Sequence, residues 1–174
     1  MKSAYHAVVV GVGGLLEPLA LLALRLAGAK VFWESGLTKW NGFLVFNKEK
    51  YDLFLYEFFC PDPPRAGALQ LCDPATLEYT EGSAIVSLIK ALAVMAGVVE
   101  VALPVLLVLG LLSRLSALGL LGMTLFIQLA VFPTWSHWVN PAMWWAAVLF
   151  ALVACGPGAW SLDRLLGLER RRDA

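Results

Sequence analysis

The stretch "AIVSLIKALAVMAGVVEVALPVLLVLGLL", residues 84–112, decides the class of this protein. Over that length it carries only two ionisable side chains, Lys90 and Glu100. A helix rises ~1.5 Å per residue, so about twenty apolar residues suffice to cross a hydrocarbon layer ~30 Å thick. Three further runs surround it: residues 18–40, 115–132 and 139–155. The last has a short apolar centre, "PAMWWAAVLFALVAC" (Pro141–Cys155), and needs Trp138 and Val139, or a thinned bilayer, to span. Asn140 before Pro141 marks its start, and Gly156, Pro157 and Gly158 mark its stop. The expectation is an all-α membrane protein: one domain over residues 1–174, built as a four-transmembrane-helix bundle with a long loop at 41–83.

Composition agrees. Of 174 residues, 60% are apolar and 15% charged, against ~45–50% and ~25% in soluble domains. The mean hydropathy is +0.75. A formal net charge of zero, with no extended basic face, argues against nucleic acid as a partner. Near the N-terminus, "VVVGVGG" (Val8–Gly14) fails the GxGxxG spacing because position 16 is Leu, so no dinucleotide site is expected. Glu17 and Arg25 interrupt any signal-peptide core, so cleavage is not expected.

Four spans place both termini on one side. Arg114 lies between spans two and three, and Arg164, Arg170, Arg171 and Arg172 lie in the tail. The loop has Lys48, Lys50 and Arg65 against seven carboxylates (Glu49, Asp52, Glu57, Asp62, Asp73, Glu78 and Glu81). Because Lys and Arg counts set orientation, the termini are expected in the cytoplasm and the loop outside it. Lys39 and Lys90 then fall at the outer interface. Trp33, Trp40, Trp135 and Trp138 read as an outer aromatic belt, and Trp160 as an inner one.

Within the loop, Tyr51, Phe54, Leu55, Phe58 and Phe59 follow a helical i, i+3, i+4, i+7, i+8 stripe, stopped by Pro61, Pro63 and Pro64. This predicts a short interfacial helix, either a lid over the bundle mouth or a docking surface. Cys60 and Cys72 share the loop, and a disulfide between them is expected if it faces an oxidising compartment. Their spacing is not a CxxC redox motif. With His6 and His137 the only histidines, no metal site is expected.

Span one poses the functional question, because it carries Arg25, Lys30 and Glu34. Charges at mid-membrane depth are costly and normally have a partner and a purpose. Counted from Pro18 at ~1.5 Å per residue, Lys30 lies about 18 Å deep; Glu100, counted from Ser113, lies about 19 Å deep. Lys30 and Glu100 are therefore expected to meet, with Arg25 reaching up from below and Glu34 one turn along. Pro104 has no N–H and frees the carbonyl of Glu100. Gln128 adds a polar side chain on span three, and "PTWSHW" brings His137 to the rim. Two readings follow: polar glue between helices, or a pocket for a small ligand or a proton path.

The order of landmarks "LRLAGAKVFWESGLTK", "VEVALPVLLVLGLLSRLSALGLLGMT" and "CGPGAWSLDRLL" resembles the DoxX family of small four-helix bacterial membrane proteins. The matching positions are Arg25, Ser35, Gly36, Lys39, Glu100, Gly110 and Arg114, then Gly156, Pro157, Gly158, Ser161, Leu162 and Asp163. The resemblance implies an inner-membrane protein in a redox or stress-response system that meets the quinone pool. Three functions follow. In the first, the chain is a quinone-interacting subunit whose polar residues Arg25, Lys30, Glu100 and Gln128 hold quinone, with electrons supplied by a partner oxidoreductase, since the chain has no haem, flavin or metal-cluster motif of its own. In the second it is a non-catalytic anchor or assembly factor docking an extracytoplasmic partner. In the third it is a small transporter, which four spans without a repeat would require to be a homo-oligomer.

Overall fold

A computed structural model describes residues 2–80 and 82–169, with the backbone alone for residues 2–10 and 15. The tail arginines Arg170, Arg171 and Arg172, and Glu81, lie outside the described residues.

The described chain is helical, apart from one isolated antiparallel bridge between Trp40 and Phe46. Helix α1 runs Lys2–Leu37. A short α2, Glu49–Asp52, continues as a π-helical turn over Leu53–Phe58. Helix α3 is Ala84–Leu109, and α4 is Ser113–Phe126, extended by a π turn over Ile127–Val131. A three-residue α5, Trp135–His137, leads through Trp138–Ala142 into α6, Met143–Cys155. Asn140 breaks the helix there with extended backbone (φ −149°, ψ 111°), so the last run is 135–155 with a bend rather than a straight rod from 139. Helix α7 is Leu162–Leu165. Among the described residues, three helical runs are long and apolar enough to cross a membrane: Ala84–Leu109, Ser113–Val131 and Trp135–Cys155.

Lipid tails are as apolar as leucine, so helices in a membrane associate through close packing and polar contacts, with small residues at the seams. The core obeys this. Ala29, Phe32, Leu107, Ala117, Leu120, Leu149 and Leu152 form one buried cluster at the centre of the bundle. Gly28 seats α1 against Val148 and Leu149 of α6, and Phe32 meets Trp145 at 6.1 Å.

The long loop packs on the bundle. Phe54, Leu55 and Phe59 are buried against Ile89 and Ala93 of α3, so the predicted apolar stripe covers the first half of that helix. Cys60 and Cys72 are joined by a disulfide, with Cα atoms 5.5 Å apart. Leu71 N donates to Phe59 O at 2.8 Å, and Leu69 N to Ala130 O at 2.7 Å, tying the loop to the end of α4.

One feature of the register governs the site. Gly36 of α1 abuts the backbone of Glu100, whereas Arg25 reaches Val108 and the α3 C-cap. Helix α1 therefore ends level with Glu100, and its first buried side chain among the described residues is Leu21, which packs on Gly158. Pro18 is not the level at which α1 enters the bundle. The residues before it continue the helix beyond the tail end of α3.

Candidate functional site

Glu100 and Lys39 are both buried, at 4% and 6% exposure. The Lys39 ammonium makes a direct ion pair with Glu100 Oε2 and donates to Ser35 Oγ at 3.1 Å. The local chain explains how a lysine beyond the helix reaches back. Helix α1 stops at Leu37, Lys39 N donates to Gly36 O at 3.0 Å, and Asn47 N returns to Lys39 O at 2.8 Å. The resulting tight turn places Trp40 and Phe46 on Gly97, with Trp40 Nε1 donating to Gly97 O at 3.3 Å. Gly36 is indispensable for the approach: a Cβ there would lie 2.8 Å from Glu100 O and 2.9 Å from Glu100 C, both backbone atoms.

Glu100 meets Lys39 rather than Lys30, and Lys39 is buried among the helices. The depth count placed the entry of α1 at Pro18 and so set Lys30 level with Glu100, where Gly36 stands. The register against α3 was off by about six residues, ~9 Å of helix, and the turn after Leu37 brings Lys39 back to the carboxylate. Lys30 and Glu34 lie on a face of α1 directed away from the bundle, with side chains 72% and 64% exposed, and pair with each other at 3.7 Å. Trp33 shares that lateral face and lines a groove with Pro104 and Val105 of α3.

Arg25 is buried at the opposite end. Its guanidinium donates to Val108 O (3.4 Å) and Trp160 O, and its charge is balanced by nearby Asp163. It turns toward the tail and not toward Glu100. Asp163 in turn accepts from Leu112 N (2.7 Å) and Ser113 N (2.8 Å), capping the start of α4 and holding Leu112 in a left-handed conformation (φ 49°). Asp163 N donates to Gly110 O at 2.8 Å. Gly110 ends α3 at φ 69°, and a Cβ there would strike Arg25 Nη1 and Ser161. Ser161 caps α7 by accepting from Arg164 N at 3.3 Å. Arg114 pairs with Glu169 at 2.6 Å and passes close over Gly156. Pro157 is fully buried, and Gly158 lets Leu21 approach. Most polar groups of this knot go to backbone carbonyls, backbone caps and the Arg114–Glu169 pair, while Arg25 Nε and Ser113 Oγ are buried without a hydrogen-bond partner among the described residues.

Gln128 and His137 come together at the loop end. Gln128 Oε1 and His137 Nδ1 are 2.6 Å apart, and Gln128 Nε2 donates to Thr134 O at 3.2 Å. The imidazole stacks on Phe132 (5.0 Å, 26°), whose ring also meets Phe58 edge-on at 5.8 Å and carries the Arg65 guanidinium at 4.4 Å. His137 Nε2 has no partner among the described residues. Sequence reasoning did not find Arg65 or Phe132 here. Their signal is the loop's return onto α4, a contact between distant segments that no local pattern encodes.

No group of three or more potential metal-ligating side chains occurs among the described residues. A family model, DoxX, matches residues 20–133, nearly two-thirds of the chain. The chain belongs to the DoxX family. The match spans Arg25, Ser35, Gly36, Lys39, Glu100, Gly110 and Arg114, which are the residues of the Lys39–Glu100 pair and of the Arg25 knot. Ser161 and Asp163 lie beyond it and lock onto it through Gly110, Leu112 and Ser113. Neither a curated protein nor a solved structure matches the chain. Family membership and the three apolar helical runs make this a membrane protein, with a lipid bilayer as its environment.

Proposed function

We propose that this DoxX-family protein is the inner-membrane component of a redox or stress-response system, binding a quinone at the loop end of the bundle and working with a partner oxidoreductase. In this reading α1 is a fourth span, the termini are cytoplasmic with Arg114 and Arg164, and the loop is extracytoplasmic, consistent with its disulfide.

The observation that carries the proposal is the Gln128–His137 pair. Arg25 is spent on carbonyls and Glu100 on Lys39, whereas the imidazole keeps one ring nitrogen uncommitted beside an aromatic wall. Gln128 Oε1 accepts from Nδ1–H, which leaves Nε2 bare to accept a hydrogen bond from the hydroxyl of a reduced quinol. Phe132 and Phe58 offer faces and edges for ring packing, and the adjacent Arg65 charge favours a reduced, anionic oxygen. The quinone itself supplies the two-electron, two-proton chemistry. The test is quinone content, extracted and quantified from protein purified in mild detergent. Retention in wild type and loss in His137→Ala and Gln128→Ala is expected; equal content in all three, or none in wild type, overturns the reading.

A docking role has its own support. The turn closed by Trp40 and Phe46 thrusts Phe43, Leu44 and Val45 outward, with Phe43 91% exposed. An apolar tip beside a disulfide-tied loop suits a partner subunit, and replacing all three residues by serine would release that partner without changing quinone content.

A further inference from the structure

We infer that the free face of α1 pairs with the same face of a second copy of this chain, in parallel and about a two-fold axis. The inference rests on the reading that α1 spans the membrane.

The bundle uses one face of α1: Leu21, Arg25, Ala29, Phe32 and Gly36 are buried. A second face carries Val12, Leu16, Leu19, Leu26, Trp33 and Leu37, all exposed. With Ala23 and Lys30 in the gaps, these residues alternate at spacings of three and four along the helix. That is an unbroken heptad seam, the pattern by which two helices wind about each other. Beside the bundle, α1 and α3 leave an apolar groove of about 400 Å³ lined by Leu26, Ala29, Trp33, Pro104 and Val105, open to the side.

Charge names the occupant. Lys30 and Glu34 stand on this face between the levels of Arg25 and Glu100, alongside the most apolar part of α3. Facing lipid there, both would be desolvated with only each other for company. Against a parallel copy, Lys30 of each chain reaches Glu34 of the other across the same one-turn offset that it spans within its own helix. A face carrying both signs one turn apart complements itself, as a two-fold contact requires. A polar residue within an otherwise apolar seam also fixes register.

Two experiments decide it. In a Cys155→Ser background, Leu19→Cys and Leu26→Cys should form oxidative cross-links between copies in native membranes, while Glu17→Cys, off the seam, should not. Next, differently tagged copies are co-expressed. Lys30→Glu and Glu34→Lys chains should each fail to recover themselves but recover one another at wild-type yield, which an intrahelical pair alone cannot produce. Cross-linking indifferent to the seam, or recovery indifferent to the charges, overturns the pairing while leaving four spans intact. An N-terminal reporter found on the opposite side from the C-terminus removes the spanning reading and the pairing with it.

Discussion

Sixty-one residues separate Lys39 from Glu100, and the two side chains close into one buried ion pair. Removing one partner from such a pair strands a charge and typically costs about 3–5 kcal/mol, whereas replacing both with apolar groups is often near neutral. Lys39→Met should therefore lower the melting temperature in detergent far more than Lys39→Met combined with Glu100→Leu. Equal melting of single and double variants would show the pair to be dispensable.

Gly36 and Gly28 separate close approach from ordinary packing. A methyl at Gly36 meets Glu100 backbone atoms that cannot swing aside, but at Gly28 it finds Val148 at 3.4 Å, an ordinary contact. Gly36→Ala should destabilise by ~1–3 kcal/mol through overpacking, with disruption of the Lys39 contact. Gly28→Ala should melt within about a degree or two of wild type or slightly above it, given the helix preference of alanine over glycine.

Asp163 serves two backbone donors at the start of α4. Its replacement by alanine leaves both N–H groups without their acceptor in a largely buried corner, for a loss of roughly 1–3 kcal/mol. Thermal unfolding followed by circular dichroism reads the loss, and Asp163→Asn, which keeps one acceptor oxygen, should recover about half of it.

Cys60 and Cys72 clamp a loop that covers α3. Cys60→Ser should speed limited proteolysis within residues 61–80 several-fold, an effect that reducing agent reproduces in wild type and does not enlarge in the variant. Closing a loop of this size is worth about 3 kcal/mol in the chain-entropy picture.

Tyr79 donates to Leu55 O at 2.7 Å, and burial first, then the neighbouring Tyr56, push its phenol up to about 12. The folded value lies above the ordinary one, so the stability this phenol contributes is complete below pH ~10 and declines as pH rises toward 12. In a spectrophotometric titration, Tyr79→Phe should remove the late-ionising phenol.

The membrane class and the helical runs were legible because hydropathy over 20 residues is a local property. So was the loop helix, whose stripe of Phe54, Leu55 and Phe59 does face the core. The depth of α1 was not. Its apolar residues run through Pro18 without a boundary signal, so counting from that proline set the register wrongly, and Lys30 took the place that belongs to Lys39. The capping roles of Gly110 and Asp163 were visible only as family landmarks, because the cap joins a tail residue to a turn 51 residues earlier.

The early stop of α1 has a mechanical consequence. From Glu100 back to Ala84, about 24 Å of α3, the wall on that side is made of Trp40, Phe46, Phe54, Leu55 and Phe59. These residues stand where a helix would otherwise run, held by their packing on α3, one crosslink and scattered hydrogen bonds. A protease nick that would trim an ornament from most membrane proteins would here amount to deleting half a helix.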